Sequence, residues 1–208
     1  MAEIHTLHTR MTWPRELRHP HNLALYHYWR ALKPAQGLPA RAELDLRKVK
    51  ELLPWLGLLQ RQPDEDAFQW RLTGSGLDAL LGDDRSGRAA FSGWPAFERS
   101  TLQRRFAHVA RDGRPFAARL KLHNAENWSL HTELLALPVA GGSGGETLVL
   151  ACLLPFKDER SRYFGRAVGA EMIALRAIRD DALGDAAPTP PPPDMIGRPL
   201  RLIDGGRS

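Results

Sequence analysis

The stretch Phe68-Gln69-Trp70-Arg71-Leu72-Thr73-Gly74 decides the fold class. Phe68, Trp70 and Leu72 alternate with Gln69, Arg71 and Thr73, the two-residue period of a half-buried strand, and Gly74 stops it. Just upstream, residues 55–60 are an apolar run of strand length. The acidic turn Pro63-Asp64-Glu65-Asp66 joins the two runs as a hairpin.

Downstream, residues 77–81 read as a short helix ended by Gly82, and residues 83–96 as irregular. Residues 98–112 read as a helix with Leu102, Phe106, Val109 and Ala110 on one face, closed by Gly113. Three more strands follow. Phe116, Ala118, Leu120 and Leu122 alternate strictly within residues 115–122, whereas residues 128–139 and 147–156 become almost continuously apolar. Gly141-Gly142-Ser143-Gly144-Gly145 links the last two as a hairpin loop. Hairpins separated by helices do not fit a parallel sheet, whose strands alternate regularly with crossover helices. They predict an α+β domain over residues 38–157, a five-stranded antiparallel sheet with helices on one face.

The flanks have their own character. Residues 1–21, rich in His and Arg with Pro14 and Pro20, read as a flexible arm. Residues 22–37 hold a helix capped by Asn22 and stopped by Pro34 and Gly37, with Leu25, Tyr28, Trp29 and Leu32 on one stripe. Asp45 caps a further helix to Leu53. Residues 158–185 read as a C-terminal amphipathic helix with Val168, Met172, Leu175 and Ile178 on a stripe, and residues 186–208 as a Pro-rich linker and tail. Both stripes are interface candidates for a second copy or a partner, since aromatic and Met side chains favour such contacts.

At 208 residues the chain has room for one domain with a sizeable core plus tails. Its single cysteine, Cys152, lies in an apolar strand and excludes an internal disulfide framework or a cysteine-built metal site. That position also argues against a cysteinyl photoadduct over a flavin, which needs the thiol on a helix. The net charge is +5, but residues 1–50 carry nine Lys/Arg against four Asp/Glu while residues 51–150 carry eleven against twelve. The excess therefore belongs to the N-terminal extension, and the arginines are dispersed rather than clustered. This argues against nucleic-acid binding. No apolar run approaches the ~20 residues of a membrane span, and the N-terminus has no secretory apolar region, which places the chain in the cytoplasm.

Enzyme signatures are missing: there is no phosphate-binding glycine loop, dinucleotide fingerprint, nucleophile elbow or His-Glu-x-x-His motif. Thr73-Gly74-Ser75-Gly76 reads as a turn ending a strand. His5, His8, His19, His21 and His27 have no carboxylate or cysteine partners at ligand spacing, so no metal site is expected. His108 lies off the apolar stripe of its helix, an exposed position that argues against a haem ligand. No cofactor is expected. Arg71 and Glu133 interrupt hydrophobic alternation on two strands, which suggests a structural ion pair on the sheet.

Seven short stretches, in order, carry a resemblance. They are Tyr28-Trp29-Arg30; Leu38-Pro39-Ala40-Arg41; Leu52-Leu53-Pro54; Trp70-Arg71-Leu72-Thr73-Gly74-Ser75; Leu81-Gly82 with Ser86-Gly87; Gly113-Arg114-Pro115; and Glu133-Leu134-Leu135-Ala136-Leu137-Pro138. With them, residues 25–157 resemble the stand-alone PAS domain-containing proteins of the PAS_5 type common in alphaproteobacteria. The chain departs from that pattern at Leu46, where the family commonly has proline, and at Asp83-Asp84-Arg85.

The resemblance implies a sensory or protein-interaction module in bacterial signal transduction rather than an enzyme. Such a module would act through a partner protein or by self-association. It also implies a ligand site between sheet and helices, for which Trp70, Leu72, Leu77, Leu81, Phe106, Leu120, Trp128 and Leu130 are the pocket candidates. The alternative is a small-molecule carrier or an enzyme on a similar α+β scaffold. A roomy polar pocket with a perturbed carboxylate or histidine would favour that alternative, and a filled core the interaction module.

Overall fold

Strand β1 (Leu56–Arg61) pairs antiparallel with β2 (Phe68–Thr73), the hairpin expected from the alternating stretch. A computed structural model describes residues 15–62, 67–82, 85–141, 145–156 and 164–178. After β2 come α2 (Ser75–Leu81) and α3 (Ala96–Asp112), then β3 (Phe116–Asn124), β4 (Ser129–Ala140) and β5 (Thr147–Pro155). Ahead of β1 lie α1 (Pro20–Ala31) and a run of 3-10 turns, Leu46–Trp55. A last strand, β6 (Ala167–Ala177), completes a six-stranded sheet in the order β2-β1-β5-β4-β3-β6, antiparallel throughout. No described helix is long and apolar enough to cross a membrane.

The α+β class holds, with two corrections. The sheet has six strands, not five, because residues read as a C-terminal helix form β6. Val168, Met172, Leu175 and Ile178 fit a helical stripe, and Ala, Glu, Met, Leu and Arg are good helix formers. Pairing with β3 overrides that propensity: it places Ala170, Met172 and Leu175 opposite Leu122, Leu120 and Ala118. A register slip at Ile173 keeps all three on the sheet's inner face and hides the strand's two-residue period from the sequence. The Pro-rich linker and tail lie outside the described residues.

Helices also cover both faces of the sheet rather than one. Leu134, Ala136, Val149, Ala151 and Leu153 belong to an inner cluster beneath α2 and α3. Their neighbours Leu135, Leu137, Leu148, Leu150, Cys152 and Leu154 point the other way and join Leu25, Tyr26, Trp29, Val49 and Leu52 in an outer cluster. Strands buried on both faces read as continuous apolar runs, the pattern already visible in β4 and β5.

The N-terminal extension is docked. Leu17 and His19, read as part of a flexible arm, are buried, and α1 begins at Pro20 with His19 as its cap. Asn22 is needed elsewhere. Residues 1–14 of the expected arm lie outside the described residues. Asp45 does cap the next segment through Arg47 N, but a break at Val49 and Pro54 within it give 3-10 turns in place of the expected helix.

Candidate functional site

The inner face carries a cavity of about 130 Å3 where the loop after α2 crosses the sheet. Trp70 comes from β2, Leu81 from the end of α2, Phe91, Gly93 and Trp94 from the loop, and Ala167 and Val168 from the start of β6. Arg85 and Arg166 complete the lining and supply its charge. Gly57 of β1 makes room for Trp70: a Cβ there would run into the indole and the Leu77 side chain. Gly82, with φ +84°, lets the Arg166 guanidinium lie against its backbone, so a side chain at this position is excluded twice over.

Aromatic rings take up most of the space around the cavity. Phe91 lies 5.4 Å from Trp70, 4.3 Å from Trp94 and 6.1 Å from Phe106, centroid to centroid, and Phe106 lies 5.9 Å from Phe68 and 5.6 Å from Phe116. Such ring pairs add about 0.5–1.5 kcal/mol each beyond area burial. Phe91 adopts φ 58°, left-handed backbone that is rare for an aromatic residue, and its place among three rings compensates that strain.

The pocket candidates separate into three groups. Trp70 and Leu81 line the cavity. Leu77, Phe106, Leu120 and Leu130 are buried in the packed inner cluster. Leu72 and Trp128 are exposed, at 42% and 49%. Leu72 is turned outward because the β1–β2 register slips at Arg71, pairing Leu58 with Leu72 but Leu59 with Trp70. Trp128 precedes β4 at the hairpin turn, where its N–H donates to Asn124 Oδ1 at 2.7 Å. The sequence reading missed Phe91, Trp94, Arg85 and Arg166. The one available signal was two aromatic residues in an otherwise polar, glycine-containing stretch without periodicity.

The outer face is organised around Glu133, which is fully buried. Its Oε2 accepts from Arg18 N at 2.7 Å, and its Oε1 accepts from His19 N at 3.0 Å and Asn22 Nδ2 at 3.2 Å. Asn22 Nδ2 also donates to the Glu133 carbonyl at 3.1 Å. A carboxylate thus meets the N-terminal end of α1, where backbone N–H groups and the helix dipole favour an anion. The expected Arg71–Glu133 ion pair does not form. Arg71 is exposed on edge strand β2, and β1 and β5 stand between it and β4. Sequence alternation marked Glu133 as unusual but not its partners, which are more than 110 positions away.

Further polar contacts fix α1. Trp29 Nε1 donates to Pro138 O at 2.8 Å, and the Tyr28 hydroxyl accepts from Asp45 N at 2.7 Å. Leu25 and Trp29 of the N-terminal interface stripe are buried against the chain's own sheet, while Tyr28 and Leu32 are half-buried. Of the C-terminal stripe, Ile178 is buried in the outer cluster, Met172 and Leu175 pack on the inner one, and Val168 is 53% exposed.

Among the described residues, no histidine, cysteine or carboxylate lines the cavity. Burial, and then Arg30, lower the pKa of His27; burial foremost, and then the Glu133 carboxylate, raise that of the Cys152 thiol. Both groups lie away from the cavity lining. His108 is exposed on α3, and no cluster of three potential metal ligands occurs among the described residues.

Residues 17–154, more than half of the chain, match the family model of a PAS domain. The match runs from just ahead of α1 to the end of β5 and leaves β6 outside it. No curated protein matches the chain.

Proposed function

The chain belongs to the PAS domain family, and on that premise we propose that it serves as a non-enzymatic sensory and protein-interaction module in bacterial signal transduction. It passes its signal to a partner protein or acts by self-association in the cytoplasm. PAS domains are in general sensory modules without catalysis.

The observation that carries this reading is the filled inner face. A cavity of about 130 Å3 is well below the roughly 300–1,000 Å3 of ordinary small-molecule sites. Rings from four elements pack around the cavity, and neither His27 nor the Asp45 and Asp112 carboxyls, whose pKa values are shifted, line it. That combination favours a module read through its surfaces over the alternative of a carrier or an enzyme.

The test is native mass spectrometry of freshly purified chain, joined to thermal melts with panels of small carboxylates, phosphates and nucleotides. The expected masses are those of the bare chain or its multiples, with Tm unmoved by the panels. A co-purifying small molecule, or a Tm rise of about 5 °C or more with one class of compound, would replace this reading by the carrier one.

A further inference from the structure

The sheet has two edges, and they are finished differently. The outer edge of β2 is covered from Phe68 to Trp70. Trp70 N donates to Arg88 O at 3.0 Å, Gly87 N to Trp70 O at 2.7 Å, and Ala90 N to Phe68 O at 2.8 Å. The Gln103 side chain adds to this cover at Phe68, accepting from Phe68 N at 2.6 Å and donating to Phe68 O at 3.2 Å. The other edge is β6, 11 residues long and paired with β3 on one side from Ala177 to Ala167. Among the described residues, nothing pairs with its other side. β6 contains no proline and no lysine, and its edge is marked instead by two bulges, at Val168 and Ile173, and by the charges of Glu171 and Arg176. It presents Val168 and Ile173, 53% and 45% exposed.

The side-chain pattern of β6 selects an occupant. The register slip makes Ile173 an extra residue, so Met172 and Leu175 share the inner face although three positions apart. Around the Ile173–Ala174 junction the strand is therefore self-complementary when reversed. Met172 falls opposite Leu175 on the inner face, Glu171 opposite Arg176 on the outer face, and Ala170 opposite Ala177. A two-fold axis through that junction forms the Glu171–Arg176 pair twice and brings the two Ile173 side chains together beside it.

We propose that β6 is a self-pairing edge, on which a second copy of this chain docks antiparallel and joins the two sheets into one. The charge complementarity is internal to β6, so it specifies an identical strand rather than an arbitrary extended peptide. Since β6 lies beyond the family match, this contact is a property of the added strand. The proposal goes beyond the functional reading above. A monomer would overturn the self-pairing edge and leave signalling through another protein intact.

Glu171 also has neighbours within its own chain, Lys121 Nζ at 3.9 Å and His123 Nε2 at 4.0 Å. A single charge reversal thus perturbs more than the interface, and the test uses complementary reversals. Sedimentation equilibrium of the full chain at several concentrations should show a dimer. Glu171→Arg and Arg176→Glu, each confirmed folded by circular dichroism, should each weaken it about tenfold or more. Mixing the two variants should restore the dimer, because the introduced arginine of one copy then faces the introduced glutamate of the other. The unaltered Glu171 and Arg176 of the two copies still meet at the second pair. Leu72→Lys on β2, at the opposite edge of the sheet, should leave the dimer unchanged. The conservative Glu171→Gln, which keeps shape and removes the charge, should weaken it less than Glu171→Arg. A full-length chain that remains monomeric overturns the proposal, as does a dimer indifferent to both reversals or one that the mixture fails to restore. Those results would assign the edge to the chain's own residues 179–208, or the contact to another face.

Discussion

The inner and outer faces of the sheet each bury an apolar cluster, the inner one the larger, and they hold it by different means. The inner face is held by rings: Trp70 touches Phe91, Phe91 touches Phe106 of α3, and Phe106 touches Phe68 and Phe116. The outer face is held by aliphatic side chains and one stacked ring pair, Tyr26 and Trp29, together with directed polar contacts, the Glu133 carboxylate at the start of α1 and the Trp29 indole on Pro138 O. Non-directional packing tolerates adjustment, whereas a buried carboxylate admits one docked position of the helix. The inner face should therefore set global stability and the outer face the attachment of α1.

The largest effect should come from the inner face. Phe106→Ala removes a fully buried ring at the junction of three others and should cost about 4 kcal/mol, read by urea unfolding. Glu133→Ala comes next, at about 3 kcal/mol, since it leaves the Arg18 and His19 N–H groups without their acceptor and removes one of the two acceptors of Asn22 Nδ2. Its signature is regional: amide exchange should speed up in α1 while α3 keeps its protection. If both helices lose protection together, the two faces are not separable and the comparison fails.

Trp29→Phe keeps an aromatic ring, though a smaller one, and loses the bond to Pro138 O. It should cost about 2 kcal/mol, again with α1 affected first. A smaller effect is pH-dependent. Because burial raises the Cys152 thiol in the folded state, the fold favours the neutral form. Stability is complete below the unfolded thiol's value near 9.0 and is lost as pH rises above it, by about 1.4 kcal/mol per pH unit. Cys152→Ala should remove that slope from alkaline melts, and the native thiol should resist alkylating reagents until the chain unfolds. Leu72→Ser, at an exposed site on neither face's cluster, should change stability by no more than about 0.5 kcal/mol.

Much of the architecture was legible locally. The Phe68–Thr73 alternation, the stripe on α3 ending at Gly113 and the strict period of β3 each express one periodicity without interruption, and each element forms where that periodicity places it. Failures cluster where a bulge shifts the period. Ile173 disguises β6 as a helix, and the slip at Arg71 turns Leu72 out of the pocket. The cavity was less legible than the fold, because Phe91, Trp94, Arg85 and Arg166 lie in segments with no period at all.

By itself the sequence determined the class of the fold, its strand and helix order through β5, and its membership in the PAS family. Those properties follow from the spacing of apolar side chains along the chain and from short ordered motifs, both local quantities. Tertiary structure alone decided the sixth strand, the helix on the second face and the partners of Glu133. Each of these pairs residues distant in sequence: β6 completes β3 from more than forty positions away, and Glu133 meets α1 across more than 110. A buried polar group must find its hydrogen bonds and an apolar strand edge its cover, and neither demand names its partner until the chain has closed.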